Sequence, residues 1–483
     1  MPKVLVIGFD GATWNIIMPL INQNKLPTFK TLIDNSAWGY MESTVPPLSV
    51  PAWVSMFSGL TPEQLKIFDF TDITILDNSY KMELFSSQDT KNILLWDFLS
   101  KEGLTSFVIN IPNTYPPYPV NGHLIGLDFT PLKNCTYPPE IEHTLEKEFN
   151  LKKIRELQPM LFKGEKAALQ VIKMEEKTIA NIVTSFTDHH SYDLAVVRFG
   201  IPDHVSHHSH DQETMEKYHI LMDSLLKTII ESVEYDYLFL VSDHGIKKED
   251  TLIYINPLLE ELGYYHPSLK ERVITHGMQV FTSLFGKRQF IRVQQKLTGR
   301  DMIKRTPGYE MLLGKTTVFG YATTITSFCP LFTKDYTIID EVIEKVGASP
   351  YVKKIHRVQK KQKNPNKGPF AIVESVCALS GEYSRKKIST NKAWIHDKKG
   401  IFLVNGKEIK KSRIDCTIFD ITPTILHILG LPIPDNITGR ILTDVFTEKS
   451  PITCQLPQYV PPEYYSKKEE KQKIKDSLKK LKI

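Results

Sequence analysis

The chain has 483 residues, 41% of them hydrophobic and 24% charged, with a formal net charge of +5. Usage this close to average describes a globular protein, and the length suits a large catalytic domain carrying an insertion or cap. The basic residues are spread along the chain rather than gathered in a stripe, so no nucleic-acid partner is expected. Five cysteines, far apart and without a CxxC pair, argue against a disulfide framework or a zinc–thiolate site and for a reducing compartment. No run approaches the roughly 18 apolar residues that a membrane span needs, and the N-terminus lacks a secretory pattern, so a cytoplasmic location is expected.

The first predicted element is a buried strand, Val4–Phe9, ending in Asp10 and Gly11. A carboxylate at a strand end, followed by a permissive glycine, suits either a cation ligand or a cap for the next helix. Next, Val45 to Trp53 leads into an apolar segment ending at Ser58-Gly59. Pro51 fits a first helical turn and places Ser49 at a helix N-terminus, where free N–H groups and the dipole favour an anionic oxygen. Ser49 there is a nucleophile or simply a cap.

A helix is predicted over Asn92–Glu102 and a strand over Ser106–Asn110. The strand Leu194–Phe199 runs into Gly200-Ile201-Pro202-Asp203-His204-Val205-Ser206-His207-His208. Asp203 and His207 are four apart, so one helical turn puts both on the same face, a usual metal-pair spacing. His204, His208 and His210 crowd the stretch and leave the choice of ligand open. After the predicted helix Glu213–Val233, the strand Tyr237–Ser242 stops abruptly at Asp243-His244-Gly245. Two ligand-type residues together at a strand end are hard to explain by packing. The continuous rather than alternating hydrophobicity of these strands, with helices between them, indicates a layered α/β fold with a parallel sheet.

Residues 265–390 are richer in Lys and Arg, weaker in periodicity, and contain a loop-like run from Lys363 to Pro369. They read as an insertion or cap. The basic residues Lys353, Lys354, Arg357, Lys360 and Lys361 in it suit either an anionic leaving group or a solvated face. The core (1–264) then resumes over 391–450, with His396 shortly before the strand Ile401–Val404 and an amphipathic helix near Asp420–Leu429 stopped by Gly430-Leu431-Pro432. The tail, 451–483, is a proline-containing arm followed by a Lys/Glu-rich helical pattern at Ser466–Lys482.

Taken in order, these segments resemble the alkaline phosphatase superfamily, and within it the type I phosphodiesterase and nucleotide pyrophosphatase branch. The resemblance covers Lys3 to Phe70, Leu194 to Gly263 and His396 to Leu442. It implies a three-layer α/β/α alkaline-phosphatase-like core with a mostly parallel central sheet and an inserted cap region. It also implies two divalent metal ions, usually Zn²⁺, with Mn²⁺ or Fe tolerated. One ion would take Asp10, Asp243, His244 and the oxygen of Ser49; the other would take Asp203, His207 and His396. The implied reaction is hydrolysis of a small phosphate ester through a phosphoseryl intermediate on Ser49, with the two ions about 4 Å apart.

The departures from the family pattern are informative. Its nucleophile is most often threonine, and Ser49 keeps the hydroxyl. Sulfatases of the same superfamily need arginine where this chain has Trp53, which speaks against sulfate esters. Trp53 also stands where the nucleotide-cleaving branch often has an asparagine nearby; it either packs in the core or stacks on a substrate group. Transfer of the phosphoryl group to an alcohol, as in a phosphotransferase or mutase, and a metal-binding relic without turnover are the alternatives.

Overall fold

The computed structural model describes residues 1–77, 79–127, 133–267, 311–312, 315–358, 366–382, 384 and 386–466. The chain forms two units. The first comprises Met1–Leu65, Ser86–Ile246 and the residues from Asp397 on; the second comprises Lys66–Phe85 and Lys247–His396.

The first unit is built on a ten-stranded sheet. Its strands are β1 (Val4–Phe9), β2 (Ala37–Glu42), β3 (Ser106–Ile109), β4 (Gly122–Ile125), β5 (Thr136–Tyr137), β6 (Leu194–Phe199), β7 (Tyr237–Val241), β8 (Lys399–Gly406), β9 (Ser412–Arg413) and β10 (Cys416–Thr417). The spatial order is β9-β2-β8-β7-β1-β6-β3-β4-β5, with β10 beside β2. The five strands β7, β1, β6, β3 and β4 run parallel, whereas β8 is antiparallel to both β7 and β2. The strands β1, β6 and β7 are buried at every residue, which is why their sequences are apolar runs without alternation.

Helices connect them. Asp211 accepts from Thr214 N–H at 2.8 Å and starts the Gln212–Ser232 helix. The helix expected over Asn92–Glu102 runs only over Leu95–Lys101, because Asn92 has a left-handed φ of 74° and Leu94 is extended. The strand expected to reach Ser242 stops at Val241, because the Ser242 hydroxyl turns to donate to Ala12 O. The C-terminal arm returns to this unit: Tyr459–Val460 pairs with Ile433–Pro434, and Tyr465 Oη donates to Pro432 O at 2.6 Å. The basic pattern Ser466–Lys482 lies outside the described residues from 467 on. No described helix is long and apolar enough to cross a membrane.

The second unit has its own core. A six-stranded mixed sheet has the order Val318–Gly320, Thr326–Thr333, Ile388–Asp397, Gly245–Tyr254, Ala371–Ser380, Val352–Arg357. A hairpin of Thr71–Ile75 and Ser79–Leu84 adds Ile73, Ile75 and Tyr80 to the cluster formed by Phe319, Leu331 and Phe332. The unit therefore begins at Lys247 rather than 265 and draws in 66–85, a stretch whose apolar face is buried here.

Within this unit Asp69 is 4% exposed and accepts from Phe70 N–H at 2.6 Å, from Thr323 N–H at 3.0 Å and from the Thr323 hydroxyl. Burial pushes its carboxyl up to about 6, against those hydrogen bonds. The folded protein thus holds the extra proton where an unfolded Asp, near 3.9, has lost it. The contribution of this group is full below about pH 4 and is lost as pH rises through about 6, to the extent of roughly 2–3 kcal/mol. Denaturant unfolding of wild type and Asp69→Asn at pH 4 and pH 7 is expected to show a smaller pH dependence in the variant. Parallel curves would place the carboxyl at its ordinary value.

Candidate active site

Three neighbouring parallel strands, β7, β1 and β6, end at one edge of the sheet, and each delivers an acidic residue there. Asp10 follows β1 directly, and its N–H donates to Phe199 O at 3.0 Å. Asp203 N–H donates to Asp10 O at 3.0 Å, so the two loops are tied backbone to backbone. Gly11 makes this possible: its φ is +72°, and a Cβ there would lie 3.0 Å from Asp203 Cβ. At the end of β7, Ser242 Oγ donates to Ala12 O at 2.9 Å and accepts from Ile401 N–H at 2.8 Å, fixing the turn that carries Asp243 and His244. Ser49 is the first residue of the Ser49–Ser58 helix, which ends on Gly59 in the left-handed region.

The side chains converge. His244 Nε2 lies 3.4 Å from Ser49 Oγ, 3.4 Å from Asp10 Oδ1 and 3.3 Å from Asp243 Oδ2. Asp10, Asp243 and His244 are fully buried, and Ser49 is 4% exposed. Asp243 Oδ1 accepts from Gly11 N–H at 3.2 Å. Asp10 Oδ2 accepts from Arg198 Nε at 3.0 Å, from Arg198 Nη2 at 2.5 Å and from Trp53 Nε1 at 3.1 Å. The other oxygens, Asp10 Oδ1 and Asp243 Oδ2, have no hydrogen bond among the described residues. Burial, and then the Asp10 charge, push the Asp243 carboxyl well above the ordinary range; Arg198 opposes the shift. One imidazole Nε2 has at most one proton for two carboxylate oxygens and a hydroxyl. A divalent cation with oxygen and nitrogen ligands fits this set.

Asp203 belongs to the same edge. Single ligand atoms of Asp10, Asp203 and His244 all lie within 4.8 Å of one another. Asp203 opens the Asp203–His208 helix, and its Oδ2 is 3.3 Å from His207 Nε2, one turn on. The Asp203 charge raises the His207 pKa. Of the crowded histidines, then, His207 is the one set against Asp203. The His204 ring instead lies against Gly200, where a Cβ would fall 2.5 Å from it, and burial lowers its pKa to about 4. Glu176, from the Glu165–His189 helix, accepts from Gly200 N–H at 2.8 Å and supports the turn.

The six residues Asp10, Ser49, Asp203, His207, Asp243 and His244 thus meet within the first unit. His396 is 2% exposed on the strand Ile388–Asp397 of the second unit, and the chain re-enters the first unit at the next residue. Trp53 is fully buried and stacks on Phe57 at 6.0 Å between centroids, so it packs in the core and offers no face to a substrate. Of the basic residues in the second unit, Lys353 pairs with Glu374 at 2.8 Å and Arg357 pairs with Asp340, while Lys360 and Lys361 lie outside the described residues. Sequence reasoning passed over Arg198, although a charge inside the apolar run Leu194–Phe199 was itself a signal: a buried guanidinium requires a partner.

The family model of type I phosphodiesterase / nucleotide pyrophosphatase matches residues 4–303. No curated protein matches the sequence significantly. Solved structures share the fold. Murine ectonucleotide pyrophosphatase/phosphodiesterase 5 has a TM-score of 0.55 at 14% identity, covering 92% of this chain and all of its own. The human form has a TM-score of 0.56 at 15% identity, with the same 92% and 100% coverage. Phosphonoacetate hydrolase from Sinorhizobium meliloti 1021, solved in complex with phosphonoacetate, has a TM-score of 0.57 at 12% identity, covering 87% of this chain and 94% of its own. The α/β fold expected from the sequence is the fold these structures share.

Proposed function

The chain belongs to the type I phosphodiesterase / nucleotide pyrophosphatase family, metal-dependent enzymes acting on phosphoric ester bonds, and from that premise we propose a phosphodiesterase that works through a phosphoseryl intermediate on Ser49. The observation that carries the reading is the convergence of His244 Nε2 with Asp10 Oδ1, Asp243 Oδ2 and Ser49 Oγ in a buried setting. Asp10, Ser49, Asp243 and His244 would hold one divalent ion, and Asp203 and His207 would contribute to a second. The donor set suits Zn²⁺ first, with Mn²⁺ or Fe also possible. Bound there, such ions neutralise the carboxylates, favour the ionised serine oxygen and polarise the phosphoryl oxygens.

The chain's own groups then do the following. Asp10 and Asp243 offer the carboxylate oxygens that would hold the ion, and His244 offers Nε2 between them. Ser49 Oγ, its proton passed to water, attacks phosphorus in line, and the bond from phosphorus to the leaving oxygen breaks, the alkoxide taking a proton from water to leave as the alcohol. The N-terminus of the Ser49–Ser58 helix favours the negative charge on the transferred group. Water then attacks phosphorus of this serine-bound ester, releasing the phosphate monoester and restoring the hydroxyl. The five free cysteines, three of them buried, support a reducing compartment, the cytoplasm, as the place of action.

The test begins with protein stripped by a chelator and dialysed. Adding Zn²⁺ or Mn²⁺ is expected to restore hydrolysis of bis-p-nitrophenyl phosphate, with slower cleavage of p-nitrophenyl phosphate, and an acid quench during turnover of the diester should trap a p-nitrophenyl phosphoryl group on Ser49. Equal turnover with and without metal would discard the reading, and faster monoester cleavage would turn it towards a phosphatase.

A further inference from the structure

Arg198 sits within β6, opposite Gly8 of β1 in the parallel register, and is 1% exposed. Burying a guanidinium costs several kcal/mol unless its partner geometry is good. Arg198 Nε and Nη2 both donate to Asp10 Oδ2, at 3.0 and 2.5 Å, and Trp53 Nε1 donates to the same atom at 3.1 Å. The usual fork of an arginine on a carboxylate gives one N–H to each oxygen. At Asp10 three donors grip Oδ2 and Oδ1 takes none, which turns Oδ1 towards His244 Nε2, 3.4 Å away.

The indole reaches Asp10 only because residue 8 is glycine: a Cβ there would lie 2.3 Å from Trp53 Cη2. Trp53 is also four residues beyond Ser49 in the Ser49–Ser58 helix, hence on the same helical face. Its hydrogen bond to Asp10 therefore ties the helix that carries the nucleophile to the carboxylate that would bind metal. A buried ion pair serving stability alone would need neither the one-sided grip nor the indole.

We propose that Arg198 and Trp53 are positioning residues that hold Asp10 as a one-oxygen metal ligand and lock the Ser49 helix to it, without touching substrate. The inference rests on the metal-site reading above. Arg198 supplies the fixed positive charge behind Asp10 Oδ2, while Trp53 sets the angle of the carboxylate plane. Partners of this kind, one shell behind a metal ligand, typically change metal affinity by about 10- to 100-fold.

The test compares wild type, Arg198→Lys and Trp53→Phe. The first variant keeps the charge and loses the fork; the second keeps most of the ring and loses the donor. Zn²⁺ is titrated calorimetrically into each chelator-stripped protein, and melting temperatures are taken with and without the metal. Both variants are expected to bind one of the ions about 10- to 100-fold more weakly and to gain less melting temperature from metal than wild type does. If either variant binds Zn²⁺ as wild type does, with both melting temperatures lowered equally, the pair is structural and the inference is overturned. Should Arg198→Lys fail to fold, Trp53→Phe decides alone. A wild type that takes up no metal would instead sink the parent reading, so the two failures are separable.

Discussion

Replacing Ser49 by alanine is expected to lower kcat/KM for a phosphodiester by three powers of ten or more, a loss of about 4 kcal/mol or greater in transition-state stabilisation. The hydroxyl is the one nucleophilic atom at the buried convergence point, 3.4 Å from His244 Nε2 and at the first position of its helix. The change deletes a single oxygen from a residue that is 4% exposed, so the surrounding packing should persist. Asp10, Asp243 and His244 remain in place, and the variant should still bind metal, though more weakly for want of the fourth donor. Ser49→Thr restores the hydroxyl and is expected to recover much of the rate, limited by how well the added methyl fits. The decisive comparison is kinetic: Ser49→Ala with metal bound and turnover undiminished would mean that the nucleophile lies elsewhere. Loss of both metal and fold would be visible in the melting temperature.

The sequence showed the strand ends because three kinds of signal coincide there: an apolar run, an abrupt stop, and ligand-type residues with glycine beside them. Val4–Phe9, Leu194–Phe199 and Tyr237–Val241 are buried throughout, and that total burial is what an unbroken hydrophobic string encodes. What the string does not encode is which strand lies beside which. The adjacency of β7, β1 and β6, on which the meeting of Asp243, Asp10 and Asp203 depends, follows from crossovers spanning the intervening helices. The hairpin of Thr71–Ile75 and Ser79–Leu84 was hidden for a related reason: its apolar residues find their partners beyond residue 250, far along the chain. Arg198 shows the opposite case. Its position in an apolar strand announced a buried partner, yet Asp10 is 188 residues away, and only the parallel register of β1 with β6 reveals the pair.

Asp243→Asn separates stability from function with opposite signs. In wild type, Asp243 shares a buried site with Asp10 and Asp203, and burial together with the Asp10 charge disfavours its ionised form. Asparagine keeps an oxygen to accept from Gly11 N–H, now 3.2 Å from Asp243 Oδ1, and places an amide N–H₂ where Oδ2 lies 3.3 Å from His244 Nε2. The imidazole nitrogen can accept from that amide. The metal-free variant should therefore be more stable than metal-free wild type, by an amount on the order of 1–2 kcal/mol, which corresponds to a few degrees in melting temperature. With metal the order should reverse, because the ion that the proposed reaction needs has lost a charged donor and His244 Nε2 is engaged by the amide. Activity on a diester should then fall at least about 10³-fold, near 4 kcal/mol. Melting curves in chelator and in Zn²⁺, run beside the rate assay, test both halves. A variant less stable than wild type in chelator would mean that the apo site does not carry the electrostatic strain assigned to it. A variant that gained as much from Zn²⁺ as wild type would mean that Asp243 is not a metal ligand. The crossing of the two stability orders distinguishes a carboxylate retained for catalysis at the expense of the empty fold from one retained for packing.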